Sequence, residues 1–526
     1  MDLRDIRDLK DASINKGKRG IKHIVFGRTG LLLGFILLQV LLLFLGLNVL
    51  AKYVYVFFGG YLAFGLVILL IILNHTENPT FQLAWASLVL LFPVVGGLMY
   101  LYCELQPGTA LLFARITEID RETVSMLKQE PEVLADLGRK DYRMAQLANY
   151  VQKNGYPTYQ NTEVKYFPGG EAFFEELLVQ LKNAKRFIFL EYFIIAEGLM
   201  WGEVLKLLKE KVEEGVEVRV LYDGTNELFN LSYQYPNYLC GMGIRCKVFS
   251  PVYPIFSTHY NNRDHRKIVV IDGKVAFTGG INLADEYINA IEKHGHWKDA
   301  AIMLKGKAAW SFTLIFLQTW EICTHTDEDY EIFYPWKEQE CPVTAKGFVQ
   351  PYADSPMDEE NVGEHVYLHI LNNAKKYVYI NTPYLIVDDS MLSALRLAAK
   401  SGVDIRIITP HRWDKWWVHM TTRSYYRELI KSGVKIYEYT NGFIHSKTFV
   451  SDDRTATVGT TNLDFRSLYL HYECGALLYE AKAVMEVKED FLQTLEICQQ
   501  VTEKDCKTNI VVHLLQDILR LFAPLM

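Results

Sequence analysis

None of the eight cysteines, at positions 103, 240, 246, 323, 341, 474, 498 and 506, lies in a C-x-x-C pair. That excludes a zinc ribbon or dithiol redox site of ordinary spacing. In a chain of 526 residues, enough for about two to four folding units, such scattered thiols are expected to be reduced and buried, which favours a cytosolic face for the soluble part. Positive charge is not in excess either. Lys and Arg total 55 against 62 Asp and Glu, a net −7, so no global basic field draws a nucleic acid. Charge is missing altogether from residues 30–50 and 53–73, two runs of 21 separated only by Ala51 and Lys52. As a helix, either is long enough to cross a hydrocarbon core of about 30 Å. A third run, 84–103, holds Pro93 and Gly96-Gly97 near its middle and is expected as a kinked span or a re-entrant segment. A cleaved signal peptide does not fit, because the first run is too long and a second follows at once.

The flanks suggest an orientation. Arg4, Arg7, Lys10, Lys16, Lys18, Arg19, Lys22 and Arg28 precede the first run, which places residues 1–29 in the cytoplasm. Two full spans return the chain to the cytoplasm, whereas three leave the rest outside. The 74–82 loop has no Lys or Arg and does not decide between them. A multi-pass anchor at 30–103, with the catalytic part on the cytoplasmic side, is the expectation.

The remainder is duplicated. Asn183-Ala184-Lys185-Arg186-Phe187-Ile188-Phe189 matches Asn373-Ala374-Lys375-Lys376-Tyr377-Val378-Tyr379. Glu214-Gly215-Val216-Glu217-Val218-Arg219-Val220 matches Ser401-Gly402-Val403-Asp404-Ile405-Arg406-Ile407. In each half, apolar β-branched runs alternate with amphipathic stretches, which predicts an α/β layered fold. The two halves are expected to form a pseudo-dimer with a site at their interface. A linker is expected at 104–162, halves at 163–340 and 341–505, and an apolar C-terminal helix at 506–526.

One motif closes each half. His265-Arg266-Lys267, Asp272 and Gly279-Gly280-Ile281-Asn282 follow the spacing H-x-K-x4-D-x6-G-x2-N, as do His445-Ser446-Lys447, Asp452 and Gly459-Thr460-Thr461-Asn462. In a strand, residues two apart share a face, so His265 and Lys267 point the same way, as do His445 and Lys447. Two imidazoles, two ammonium groups and the amides of Asn282 and Asn462 would then converge on one pocket. Such a pocket suits a phosphate diester. Lys267, Lys447, Asn282 and Asn462 would bind the phosphoryl oxygens. One imidazole would attack phosphorus while the other serves as general acid, then base. The lysines supply positive charge, so neither a metal nor another cofactor is expected. Asp299, 34 residues after His265, and Glu473, 28 after His445, are candidates to orient the imidazoles. A lone histidine on an apolar strand is more often structural, and either asparagine alone could be a helix N-cap; recurrence in both halves outweighs this for the histidines and lysines. Asp272 and Asp452 complete the motif and join the candidate catalytic set, although their turn positions suit a structural Asx-type bond or ion pair.

These motifs resemble those of the phospholipase D superfamily over about residues 164–479. More narrowly, "NNRDHRKIVVIDGKVAFTGGINLADEY", "IHSKTFVSDDRTATVGTTNLDFRSL", "NPTFQLAWASLVLLFPVVGGLMYLY" and the ending "ILRLFAPLM" are similar to the bacterial cardiolipin synthases. The resemblance implies two phospholipase D-like α/β/α sandwich halves behind N-terminal transmembrane helices. It implies phosphatidylglycerol as substrate, a phosphatidyl intermediate on His265, and His445 as acid and base, giving cardiolipin and glycerol. It implies no nucleic acid and names no protein partner. A hydrolase using water, a transferase with serine or ethanolamine as acceptor, a nuclease of the same superfamily and an inactive membrane scaffold are the alternatives. Trp413, Trp416 and Trp417 suit a membrane rim or a buried helix contact, and the 509–526 helix suits a membrane surface or a core cap.

Overall fold

A computed structural model describes residues 34, 36–45, 54–75, 78–104, 107–252, 262–337, 340–358 and 360–525. They form two compact units: a small helical one from the N-terminal part through Ala114 with Arg520–Leu525, and a large one from Arg115–Pro251 and Asn262–Leu519.

The helical unit holds the apolar helices Val54–Asn74, Pro79–Leu91 and, after a break, Pro93–Glu104, the last carrying a single charge at its end. Phe92 leaves helical geometry (φ −138°, ψ 73°) just before Pro93, whose ring blocks continuation of the preceding helix. The chain then doubles back. A Cβ on Gly96 would stand 2.9 Å from the Leu88 and Val89 backbone, and one on Gly97 would stand 2.6 Å from the Phe64 ring. The third uncharged run is thus a pair of helices of 13 and 12 residues, each about 20 Å long and too short for a crossing. Val89, Ile68, Ile72 and Tyr100 form the unit's core. Among residues described in full, side chains included, no helix is long and apolar enough to cross a membrane. The run 30–50 lies largely outside the described residues.

The large unit contains two sheets built on one plan. The first half has β1 (Thr162–Phe167), β2 (Phe187–Tyr192), β3 (Glu217–Asp223), β4 (Arg245–Phe249), β5 (Arg263–Asp264), β6 (Lys267–Ile271), β7 (Val275–Gly279), β8 (His296–Lys298) and β9 (Ala301–Gly306). The second has β10 (Phe348–Asp354), β11 (Tyr377–Asn381), β12 (Leu385–Ile386), β13 (Asp404–Pro410), β14 (Lys435–Tyr439), β15 (Gly442–Ile444), β16 (Thr448–Ser451), β17 (Thr455–Gly459), β18 (Leu463–Asp464), β19 (His471–Tyr479) and β20 (Cys498–Val501). The first sheet runs β1-β9-β7-β6-β2-β3-β4 and the second β10-β19-β17-β16-β11-β13-β14-β20. Strand for strand the order is the same, with β20 added at one edge. Each sheet is mixed: β2-β3-β4 and β11-β13-β14 are parallel, whereas β6-β7 and β16-β17 are hairpins. Central strands such as β2 ("FIFLEY") are buried throughout, as expected where both faces are covered. The helix Ala309–Thr324 is buried on nearly every side and packs against strands of the first sheet and β10 of the second.

Three expectations need correction. The 104–162 stretch is no open linker: it forms helices Pro107–Val124, Pro131–Lys140 and Tyr142–Lys153. From Arg115 on it belongs to the large unit, with Gln318 donating to Thr123 Oγ1 at 2.7 Å and Arg115 pairing with Glu321 at 2.7 Å. The cysteines are all free, but only Cys246 and Cys474 are buried and Cys240 is exposed. The C-terminal helix, Ile510–Leu521, is amphipathic and has no buried residue, so it does not cap the core.

Candidate active site

The two histidines stand where each half lends a strand to the other. Residues Arg263 and Asp264 of β5 pair with His471 and Tyr472 of β19, and the His265 amide donates to Tyr472 O at 2.9 Å. In the mirror arrangement β15 pairs with β8, and the His445 amide donates to Lys298 O at 2.7 Å. This exchange carries the acids across. Glu473 of the second half meets His265 Nδ1 at 2.9 and 3.0 Å. Asp299 of the first half meets His445 Nδ1 at 2.7 Å. Each candidate acid therefore serves the opposite half's imidazole, an assignment that distance along the chain conceals.

The carboxylates are themselves fixed. Thr460 donates its hydroxyl to Glu473 Oε2, and the Cys474 amide donates to Thr460 Oγ1 at 2.9 Å. In the first half Gly280 takes the place of Thr460, and a Cβ there would stand 2.0 Å from Asp299 Oδ1. The shorter acid needs a residue without a side chain beside it. Motif spacing alone passes over Thr460, because "GGIN" and "GTTN" differ at that position; with the fold in view, that difference is its signal.

Lys267 and Lys447 are fully buried and donate to the carbonyls of His265 and His445, and Lys447 Nζ also lies 2.8 Å from His445 Nδ1. Burial sets the ionisation. It pushes the Lys267 ammonium down to about 8 and that of Lys447 to about 7, with Asp299 opposing and Lys267 reinforcing the latter shift. Burial and the two ammonium groups hold His265 well below its ordinary value. Burial and Lys447 bring His445 to about 4 against the pull of Asp299. For Asp299, burial works upward, but His445 and Lys447 outweigh it and leave the carboxyl below its usual range. At neutral pH both imidazoles are therefore uncharged, which leaves a ring nitrogen lone pair for attack. A pH profile follows. His445 loses its charge as pH rises above about 4, His265 is held well below its ordinary value, and the lysines lose their charge through about 7 to 8. kcat/KM is expected to fall on the alkaline side of about pH 7, and Lys447→Arg, which cannot deprotonate, to move that limb upward. An unmoved limb would assign it to another group.

The other candidates divide. Asp272 accepts from the amides of Lys185, Arg186 and Phe187 at 2.9, 2.7 and 3.0 Å. Asp452 accepts from Lys375, Lys376 and Tyr377 at 2.7, 2.9 and 3.0 Å. Each closes its hairpin turn, at φ 54°, onto the start of a central strand. Their place in a catalytic set is corrected to a structural one. Asp272→Ala is expected to cost about 2–4 kcal/mol of stability, given three bonds to a charged acceptor, and to leave turnover per folded molecule within a few fold; thermal unfolding beside a specific-activity assay checks this. Asn282 accepts from the Ile194 amide at 3.0 Å and donates to Tyr287 OH at 2.7 Å, so one amide hydrogen remains for a ligand. The Asn462 Oδ1 is buried without a hydrogen-bond partner. Sequence reasoning also missed the buried network of Arg266 with Glu191 at 3.1 Å and Asp264 at 3.2 Å, and His471, whose ring lies 5.5 Å from that of His265.

Among the described residues one group has metal-ligand spacing: the donor atoms of His265, His471 and Glu473 lie within 4.8 Å of one another. A metal there would compete with the His265–Glu473 bond.

A family described as "Cardiolipin synthase, PLD-like domain" matches residues 177–307 and 367–495, one stretch in each half. A cardiolipin synthase of Alkalihalophilus pseudofirmus is 35% identical over 87% of this chain and 91% of its own length. The chain belongs to the cardiolipin synthase family. Another cardiolipin synthase, from Halalkalibacterium halodurans, is 34% identical over 87% of this chain and 91% of its own. An uncharacterised protein of Streptococcus mutans reaches 48% over 87% and 99%. Among solved structures, the phosphatidylserine synthase of Haemophilus influenzae superposes with TM-score 0.54 at 14% identity, over 69% of this chain and 93% of its own; it shares the fold. Membership of the cardiolipin synthase family makes this chain a phosphatidyltransferase of the phospholipase D superfamily, acting on phospholipid.

Proposed function

We propose that the chain makes cardiolipin by moving a phosphatidyl group from one phosphatidylglycerol to another. The observation behind this reading is the pair of neutral imidazoles, each held at Nδ1 by a carboxylate from the other half and each beside a buried lysine. His265 Nε2 attacks phosphorus, and the bond from phosphorus to the glycerol oxygen breaks. The incoming phosphate anion favours the cationic form of His445, which gives its proton to the departing glycerol. The hydroxyl of a second phosphatidylglycerol then loses its proton to His445 and attacks phosphorus, and the bond to His265 breaks. Lys267, Lys447, Asn282 and Asn462 hold the phosphoryl oxygens. Asp299 and Glu473 orient the two rings.

Membrane residence belongs to the same reading. In this reading the anchor rests on the sequence, whose uncharged runs 30–50 and 53–73 are each 21 residues long and would serve as spans, with Pro79–Leu91 and Pro93–Glu104 as a re-entrant pair. Two spans and a re-entrant pair return the large unit to the cytoplasmic side. Trp413, Trp416 and Trp417 are exposed, as are Ile510, Val511, Leu514 and Ile518 on the C-terminal helix, and Gln516 donates to Met420 O at 3.4 Å. These apolar side chains suit the interface of a bilayer that supplies the substrate.

The test is to supply purified protein in mixed micelles with phosphatidylglycerol alone, with a chelator present, and to identify the products by mass spectrometry. Cardiolipin and glycerol are expected. Phosphatidic acid as the main product would make water the acceptor, and a strict metal requirement would overturn the two-histidine chemistry.

A further inference from the structure

The duplication allows the two sides of the site to be compared residue by residue, and besides Gly280 and Thr460 it is broken at the residues that precede the two acids. His471 stands two residues before Glu473, as Trp297 stands two before Asp299. Each ring packs against one motif histidine: His471 against His265 at 5.5 Å and Trp297 against His445 at 5.4 Å between ring centres. The indole offers one N–H donor, whereas a neutral imidazole offers a donor and an acceptor. His471 is more than nine-tenths buried, and neither of its ring nitrogens has a hydrogen-bond partner. Its nearest carboxylate oxygen, Glu473 Oε1, is 3.8 Å away, beyond hydrogen-bond reach. Buried ring nitrogens without partners are destabilising, and their place beside the nucleophile indicates what would satisfy them. In either tautomer the ring presents an N–H.

We infer that His471 is a third histidine of the site, whose N–H binds a non-bridging oxygen of the phosphodiester during attack by His265. The inference rests on the reading above that His265 is the nucleophile of a diester transfer. It separates the two ends of a pseudo-symmetric pocket. The transferred phosphatidyl group lies on the His471 side, and the exchanged alcohol lies toward Trp297 and His445.

Two substitutions distinguish this role from packing. His471→Phe keeps a ring but removes both nitrogens, whereas His471→Asn removes the ring and keeps an N–H donor. In the phosphatidylglycerol assay, kcat/KM is expected to fall about 10- to 50-fold in His471→Phe, the loss of one donor to developing charge, and to stay within about 3-fold of wild type in His471→Asn. The formation rate of the covalent intermediate, followed by rapid quench, should fall in the same order. The reverse order, with Phe tolerated and Asn damaging, would show a packing role and overturn the inference, as would equal activity in both. Product identity in the wild type tests the synthase reading separately: if phosphatidic acid replaced cardiolipin, that reading would fail while the order of the two variants still judged His471.

Discussion

Replacing either His265 or His445 with alanine is expected to reduce phosphatidyl transfer by roughly 10^3- to 10^4-fold or more, the scale of losing a covalent nucleophile or its acid–base partner. The losses should differ in kind. Without His265 there is no atom to receive the phosphatidyl group, so neither cardiolipin nor exchange of labelled glycerol into phosphatidylglycerol should appear. Without His445 the attack still has its nucleophile but the glycerol leaves unprotonated, so a slow, small accumulation of covalent lipid is expected. The double variant should be little worse than either single one, because groups acting as a unit are strongly non-additive. Labelled-glycerol exchange beside cardiolipin formation reads all three. Activity surviving in His265→Ala at more than a few per cent would contradict the assignment.

The second large effect crosses the halves. Glu473→Gln and Asp299→Asn preserve shape but remove the charge that fixes the imidazole's tautomer and stabilises its cation. Losses of about 10^2- to 10^4-fold are expected, the upper end being that of a buried carboxylate beside a catalytic histidine. Since Glu473 bonds His265 at 2.9 Å and Asp299 bonds His445 at 2.7 Å, Glu473→Gln should behave like a defect in forming the intermediate and Asp299→Asn like a defect in expelling glycerol. Rapid-quench measurement of the first turnover separates the two. The opposite assignment would mean that each acid serves its own half.

The duplicated motifs carried much of this plan in one dimension. Asn183 to Phe189 against Asn373 to Tyr379 marked equivalent strands, and the equal spacing of His265, Lys267 and Asp272 with His445, Lys447 and Asp452 marked equivalent hairpins. The pairing of acids with histidines was not readable there, because it depends on β5 docking on β19 and β15 on β8, contacts more than a hundred residues apart. The motif aspartates were readable both ways: they belong to the repeated motif, yet their turn positions already suited a structural bond. They recur with the histidines because the hairpin requires them, and only their bonds to three backbone amides distinguish support from chemistry. His471 and Trp297 looked like ordinary strand residues, and their importance rests on a ring contact across the interface. Residues 84–103 showed Pro93 and the glycine pair clearly, but the return of the chain onto Leu88 follows from packing.

The most direct measurement is to trap the intermediate: quench the His445→Ala protein in mildly alkaline denaturant, which preserves a phosphorus–nitrogen bond, after prolonged exposure to phosphatidylglycerol, digest it, and locate any added phosphatidyl mass by tandem mass spectrometry. The adduct is expected on His265 and should be absent from a His265→Ala, His445→Ala double variant. An adduct on another residue, or none while wild-type protein under the same conditions turns over lipid, would contradict transfer through His265.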